Sequence, residues 1–456
     1  MWLPVLSALA SIIVFSPMNF YPAVFVFLVP LFLFFLREKK LWRLMSGAVL
    51  FRLLLALGTA YFTVEPMLWI SSLFIFLGLP VSVFLFKKFV DKTASLPTLV
   101  FLPFIWTFFD LLEARCSLAP TYIMTAGNAL GSSPFLGLAG TGGLVALTFF
   151  AAVINVLVAA LVMCKKRDRF SIAPVVAIVV LLFSGWQISN VELRRNVIAY
   201  DDLPNSFTVA AVSTNGTFTA DSFKELVQEL ASRKTDLIVF PEDMFNQRTS
   251  SSIFQNAAKE LHADILAAYD TFQGGNKYNS AILFDIQGNI IGIHNKNRLT
   301  FIGEYWPFGT WHPSFYTWLG GNNPEMGTYA IFNPGNADSP GARNLLSATF
   351  QKNPVLFAAP ICLEIHYPDD MQEYRSEGAQ FIVNQSSNRW VSTGLAHFLY
   401  LATNLKKIEA VWLKLPIISS GVDDVAGIIL PNGQAQLVNY QTRNKNYNIF
   451  LGTVRY

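Results

Sequence analysis

Charge is scarce in this chain. Of its 456 residues only 14% are Asp, Glu, Lys or Arg, while 53% are hydrophobic. Those proportions exclude a wholly soluble protein. The formal net charge is only +3, so there is no basic surface suited to nucleic acid. Cysteine is nearly absent, and three residues (Cys116, Cys164 and Cys362) cannot build a disulfide framework. The five histidines are scattered without a His-x-x-x-His pair, so neither a metal nor another cofactor is expected. Basic residues are also missing from Met1 to Ser16, which argues against a cleaved signal peptide. No internal repeat or low-complexity tract stands out.

What the chain has in quantity is long apolar runs, and they are concentrated before residue 190. A bilayer-spanning helix takes about 20 apolar residues, and candidate spans lie at 2–16, 20–36, 44–63, 67–86, 97–112, 144–163 and 172–188. The first two share the turn Ser16-Pro17-Met18-Asn19 and read as a tight helical hairpin. Basic clusters follow the second span (Arg37, Lys39, Lys40, Arg43), the fourth (Lys87, Lys88, Lys92) and the sixth (Lys165, Lys166, Arg167, Arg169). Odd-numbered loops lack such clusters. By the positive-inside rule the N-terminus is cytoplasmic, and an odd number of spans puts everything after about residue 190 outside. Arg52 lies inside the third span, where a charge is expected to be functional, snorkelling or paired, with Asp110 as the candidate partner. The run from Leu136 to Gly143 is rich in small residues, which fits either close helix packing or an ordinary outer loop.

From about residue 206 the pattern changes to short strands alternating with amphipathic helices. Strands are expected at 206–213, 236–240, 265–269, 355–361 and 381–384. Helices are expected at 220–234, 251–263, 368–378 and 395–415. Hairpins are expected at 278–295 and at 417–435, the latter turning at Pro431-Asn-Gly. The alternation indicates a layered α/β domain. The division expected is therefore a transmembrane helical bundle over 1–190, a linker over 191–205 and a catalytic domain over 206–456.

Three strand ends carry chemistry. Cys362 follows the buried run Pro354 to Ile361 and precedes polar, helix-starting residues, the way a strand-to-helix elbow presents a nucleophile. Glu242 follows Leu237-Ile-Val-Phe-Pro, and Lys296 follows Ile290-Ile-Gly-Ile-His-Asn. A carboxylate can take the thiol proton during attack. A fixed ammonium, with backbone N–H groups after the cysteine, can stabilise the resulting oxyanion. Two further acids, Glu304 and Glu364, are placed to hold the lysine charged and oriented. Tyr305, Trp306 and Phe308 belong to an aromatic-rich segment, 301–332, that reads as a lid touching lipid.

These residues resemble the nitrilase superfamily of carbon–nitrogen hydrolases, with its Glu-Lys-Cys triad. The membrane half narrows the likeness, and the whole chain resembles the bacterial apolipoprotein N-acyltransferase family. The matching stretches are Phe15-Ser-Pro-Met-Asn-Phe-Tyr-Pro, Phe240-Pro-Glu-Asp, Lys296-Asn-Arg-Leu-Thr-Phe-Ile-Gly-Glu-Tyr, Pro360-Ile-Cys-Leu-Glu and Asn384-Gln-Ser-Ser-Asn-Arg-Trp. The resemblance implies a polytopic α-helical membrane bundle joined to an αββα sandwich in the bacterial inner membrane. It implies transfer of a fatty acyl chain from a phospholipid, through a Cys362 thioester, to the N-terminal amine of a lipoprotein's diacylglyceryl-cysteine. Glu242, Lys296 and Cys362 map onto the triad, and Glu304 and Glu364 onto the supporting acids. The chain departs from the family at Leu363, where tyrosine is usual, and at Val212-Ser-Thr-Asn-Gly-Thr, where a loop with glutamine and tryptophan is usual. It stops at Gly452-Thr-Val-Arg-Tyr, where a final span is usual. These departures keep a membrane-anchored amidase, or a conjugal-transfer paralogue with another acceptor, open as alternatives.

Overall fold

The computed structural model describes residues 2–59, 76–90, 95–116, 122–163, 172–245, 250–300, 304, 332–335, 344–389, 391, 395–442 and 445–456. They divide into two compact units, one of Met1–Arg195 with Val391–Trp412 and the other of Asn196–Trp390 with Leu413–Tyr456.

The second unit is built on strands. β1 (Ser206–Thr214), β2 (Leu237–Glu242), β3 (Asp264–Gln273), β4 (Asn276–Phe284) and β5 (Ile290–Asn295) form one half of the sheet. β6 (Leu346–Phe350), β7 (Asn353–Ala358), β8 (Phe381–Ser387) and β9 (Ile417–Val422) form the other, in the order β5-β4-β3-β2-β1-β9-β8-β7-β6. β1, β2 and β3 run parallel, as do β7, β8 and β9. Alternation decides which side chain goes where. Phe207, Val209 and Ala211 of β1 face a core shared with Leu237, Val239, Phe350, Phe357, Phe381 and Ile418 from both halves. Phe207 stacks on Phe350 with ring centroids 4.3 Å apart, and Phe357 on Phe381 at 4.7 Å.

The opposite face of the first half is covered by two helices, α8 (Ala220–Ala231) and α9 (Ser251–Leu261). Phe223, Leu226, Val227 and Leu230 recur at i, i+3, i+4 and i+7, which makes one apolar stripe. Thr219 caps α8 by accepting the Ser222 N–H. Because β1 and β2 are covered on both sides, they read as continuous apolar runs.

Three elements of this unit differ from the sequence reading. β7 is the second strand of a β6–β7 hairpin turned by Gln351 (φ 49°) and Lys352 (φ 71°). The 417–435 segment makes two turns. Asp423 and Asp424 join β9 to β10 (Val425–Ile429), and Pro431-Asn-Gly joins β10 to β11 (Ala435–Asn439). The last residues form β12 (Tyr447–Arg455), antiparallel along the whole of β1.

The first unit is helical: α1 (Trp2–Val14), α2 (Val29–Arg37), α3 (Leu41–Thr59), α4 (Gly78–Val90), α5 (Ser95–Cys116), α6 (Ala139–Met163) and α7 (Ile172–Asp201). By length and composition two segments are able to cross a membrane, Leu136–Met163 and Ile172–Asp201, among the described residues. The chain between α1 and α2 is broken by a 3-10 turn, Tyr21–Phe25. Backbone groups left over at such a break need partners. Asn155, fully buried on α6, supplies them: its oxygen accepts the Leu28 N–H at 2.9 Å and its amide donates to Val24 O at 2.7 Å.

The small-residue run does bring helices together. A Cβ on Gly137 would lie 2.2 Å from Ser189 O of α7, and the Gly137 N–H donates to the Ser189 hydroxyl at 2.8 Å. α7 continues as helix to Asp201, through most of the expected 191–205 linker. Arg52 pairs with Glu113 and is also attracted to Asp110, the partner expected from the sequence. Asp110, one turn earlier on α5, accepts the Ala126 N–H at 3.1 Å.

Helix α11 (Leu395–Leu413) also belongs to this unit up to Trp412, although the sequence reading placed it in the catalytic domain. Its buried apolar positions run nearly all round the helix, so periodicity alone cannot assign its partner. Its polar contacts do. Asn128 donates to Leu401 O at 3.0 Å, and Ser132 donates to Asn404 Oδ1 at 2.6 Å. Trp412 packs on Gly143, whose φ of 59° kinks the start of α6.

Candidate active site

The ends of β2, β5 and β7 meet in one place within the second unit. Glu242 closes β2 immediately after Pro241, where the β2–β3 register shifts. A proline has no N–H to give the ladder, so a bulge is where a strand tolerates it, and a bulge re-aims the next side chain. Asp243 follows with φ 52°. Lys296 leaves β5 with its N–H on Asn279 O at 2.8 Å. Its side chain is almost completely buried, at 1% exposure.

An ammonium buried that deeply needs anions on it. Lys296 Nζ donates to Glu304 Oε1 at 2.9 Å and to Glu242 Oε1 at 3.2 Å. Asn279 of β4 bonds the same two oxygens, at 2.7 Å to Glu242 and 2.9 Å to Glu304. The second oxygen of Glu304 accepts the Thr300 N–H at 2.8 Å. Asn279 is the residue that sequence reasoning missed. Its role follows from hairpin register, because β4 lies between β3 and β5 and places residue 279 opposite Asp270 on one side and beside Lys296 at the end of β5 on the other.

Cys362 occupies the elbow after β7. Its φ of 51° puts a non-glycine residue in the left-handed region, a strain of about 1–2 kcal/mol. Asn384 of β8 holds the elbow from both sides, donating to Pro360 O at 3.0 Å and to Cys362 O at 3.2 Å. The next residue, Gln385, reaches across the core to donate to Phe240 O at 2.6 Å. That bond ties β8, which holds the cysteine elbow through Asn384, to the strand bearing Glu242. The Ser387 N–H points at the sulfur.

The electrostatics follow from burial. Burial pushes the Cys362 thiol well up, Glu242 adds to the rise, and Lys296 offsets part of it. Burial likewise lifts the Glu242 carboxyl above its ordinary range against the pull of Lys296. Burial would lower Lys296, but Glu242 and Glu304 beside it win and raise it well above the usual lysine value. Glu304 is also raised by burial, yet Lys296 and the Thr300 N–H take it below the usual value. The two acids are thus pushed apart. Glu304 is held as the lysine's anion below its usual range, while the Glu242 carboxyl is lifted above its own.

Glu364 is placed differently from the expectation that it orients the lysine. One oxygen accepts the N–H groups of Asn297 (2.7 Å) and Arg298 (3.3 Å), and the other accepts the Ile361 N–H (2.8 Å) and faces His294 Nε2 at 3.0 Å. It therefore fastens the loop after Lys296 to the elbow before Cys362. Arg298 continues the clasp with a two-point bond to Asp370, at 2.8 and 3.0 Å. His294 and these N–H groups outweigh burial and hold the Glu364 carboxyl below its usual value. A lowered acid stabilises the fold fully above the ordinary carboxylate pKa and loses that contribution as pH falls through its own lower one. Replacing Glu364 by Gln is expected to cost about 2 kcal/mol, as for hydrogen bonds to a charged group. The cost should shrink as pH falls through that range, measured by thermal unfolding against pH. Tyr305, Trp306 and Phe308 lie outside the described residues.

The carbon–nitrogen hydrolase family model matches residues 208–407, and the apolipoprotein N-acyltransferase N-terminal domain matches residues 7–157. An apolipoprotein N-acyltransferase of Haemophilus influenzae is 25% identical over 455 residues, covering 91% of this chain and 81% of that protein. The chain belongs to the apolipoprotein N-acyltransferase family. A second relative of that name, from Agrobacterium fabrum, is 30% identical over 161 residues, 34% of this chain and 27% of that protein. Among solved structures, Nit3 of Saccharomyces cerevisiae, a member of branch 10 of the nitrilase superfamily, is 15% identical with a TM-score of 0.39. It matches 56% of this chain and 91% of its own. With the sheet order and two-faced core described above, the second unit of this family member is a nitrilase-type α/β domain.

Proposed function

We propose that this chain N-acylates lipoproteins, with Cys362 as nucleophile, Glu242 as general base and acid, and Lys296 as the fixed cation. The observation that carries the reading is the Lys296 ammonium, buried and bonded to both Glu304 and Glu242 beside the strained Cys362 elbow. The membership in the N-acyltransferase family supports the substrate class.

In the first half-reaction the Cys362 sulfur attacks the ester carbonyl of a phospholipid while its proton passes to Glu242. With the thiol raised by burial, transfer to a base is needed for attack near neutral pH. The oxyanion is stabilised by Lys296 and the Leu363 N–H. The intermediate collapses to the thioester, and the lysophospholipid leaves as an alcohol with the proton from Glu242. In the second half the α-amine of the diacylglyceryl-cysteine attacks the thioester. Glu242 takes a proton from that amine, the amide C–N bond forms, and Cys362 leaves and is reprotonated. Glu304 keeps Lys296 charged throughout, and Glu364 keeps the lysine loop and the elbow in register.

The proposal places the helical unit in the bacterial inner membrane, with the N-terminus in the cytoplasm and the α/β unit outside. Two helices able to span and the basic clusters after even-numbered spans support this. The domain division that goes with it is a bundle over about 1–190, completed by α11 from later in the chain, and a catalytic unit over the rest from 206.

The test is complementation of a strain depleted of its own lipoprotein N-acyltransferase, with mass spectrometry of lipoprotein N-termini. Amide-linked acyl chains are expected; unmodified amines despite good expression would sink the proposal. A second expectation concerns pH. Glu242 must be ionised to accept the proton, and its carboxyl is raised. Single-turnover acylation by a fluorescent phospholipid should therefore fall on acidification through an apparent pKa above the ordinary carboxylate value of about 4.3. A profile flat down to that value would contradict the role.

A further inference from the structure

The turn between α1 and α2 takes part in a polar cluster that acyl transfer at Cys362 does not use. Asn19 stands there with φ 51°. Its oxygen accepts the Tyr400 hydroxyl at 2.9 Å, and its amide reaches Ser132 O at 3.5 Å. The Ser132 hydroxyl donates its proton to Asn404 Oδ1 at 2.6 Å and accepts from Lys407 Nζ at 2.9 Å. Lys407 is half-buried. Among the described residues that hydroxyl is its hydrogen-bond partner, and no carboxylate pairs with it.

An ammonium carries three donors, and removing it from water without an anion costs free energy. An anionic ligand would supply what the described residues do not. The surroundings say what kind. Met18 and Phe20, on either side of Asn19, are 79% and 55% exposed. A phosphate-bearing ligand with apolar chains would satisfy the cation and cover those side chains together. The turn also falls in an odd-numbered loop, on the side where the sequence has no basic clusters. A lysine there is not explained by retention of positive charge on the cytoplasmic side.

We propose that Lys407, with Ser132 and Tyr400, forms a subsite for the phosphodiester of a phospholipid whose acyl chains lie against Met18 and Phe20. The inference rests on the membrane placement proposed above, but not on the chemistry at Cys362. The test therefore uses the full-length Cys362→Ala chain in detergent, which cannot turn over. Binding of dioleoylphosphatidylethanolamine, of dioleoylglycerol, which lacks the phosphate, and of inorganic phosphate is measured in parallel.

Lys407→Met keeps the apolar stem and removes the charge. It should weaken phosphatidylethanolamine binding about tenfold, the loss expected for one charge-assisted hydrogen bond. Dioleoylglycerol binding should not change, and Lys407→Arg should recover most of the loss. Equal losses for both lipids, or none for either, would overturn the subsite. So would tight binding of inorganic phosphate that depends on Lys407 while phospholipid binding does not. Should Lys407→Met unfold, Ser132→Ala and Lys407→Arg carry the same comparison. A chain that binds phospholipid through Lys407 yet fails to acylate lipoproteins would uphold the subsite and refute only the reaction.

Discussion

Cys362→Ala is expected to abolish both half-reactions. No acyl chain from labelled phospholipid should remain on the protein after denaturation, and no lipoprotein amine should be acylated. The loss should reach an order of 10⁶, the size seen when a covalent nucleophile is removed. Serine should not rescue it. A hydroxyl is a far weaker acid than a thiol, and a carboxylate is too weak a base to take that proton. The same position offers a second readout. Because Cys362 sits at φ 51°, Cys362→Gly should be equally inactive but more stable than Cys362→Ala, by about 1 kcal/mol. Thermal unfolding of the two variants compares them directly. An alanine variant as stable as the glycine one would remove the elbow's strain from the account, and residual thioester in either would move the nucleophile elsewhere.

Lys296→Met should damage fold and catalysis together. The methionine leaves Glu242 and Glu304 buried without their cation, sharing the Asn279 amide. Breaking a buried pair by removing one partner costs about 3–5 kcal/mol, and loss of the oxyanion's cation should slow thioester formation by about 10³. The pH dependence gives the sign. In the native chain Glu304 lies below its usual value, so its contribution is present above the ordinary carboxylate pKa and is lost on acidification. In the variant, burial and like charge raise both acids, so its stability should increase as pH falls. The gap between native and variant unfolding temperatures should therefore narrow between about pH 8 and pH 5. A constant gap would show that the ammonium is not what holds the two acids. Lys296→Arg should not restore activity, because a planar guanidinium does not fit a site shaped for a compact ammonium.

How far these residues could be read from the chain depends on where each role comes from. Glu242, Lys296 and Cys362 announce themselves because each ends an apolar run at a turn, and those runs became β2, β5 and β7. Glu304 was legible for the same local reason, eight residues after the lysine. Asn279 was not, since a polar residue inside a hairpin gains its role only from cross-strand register. Glu364 was legible as an acid near the thiol but not as the acceptor of three backbone N–H groups, because those donors come from two separate loops. Arg52 shows the limit on helices: Asp110 and Glu113 share a face of α5 and both act on the guanidinium, and only side-chain geometry shows that the direct ion pair is with Glu113. β12 was missed although Tyr447, Ile449, Phe450, Thr453 and Val454 are strand formers, because its partner is the distant β1, with which it pairs residue by residue.

Helix α11 has one more consequence. Its residues follow the nucleophile in the chain, yet they complete the unit that begins at the N-terminus. During synthesis the earlier helices must wait for Trp412 to leave the ribosome before their last wall exists. Recombination faces the same arithmetic: a hybrid joined near residue 196 inherits α1 to α7 from one parent and α11 from the other. Such chimaeras between distant members of the family should assemble poorly unless the segment 391–412 travels with the front half, so the two units are inherited as a pair.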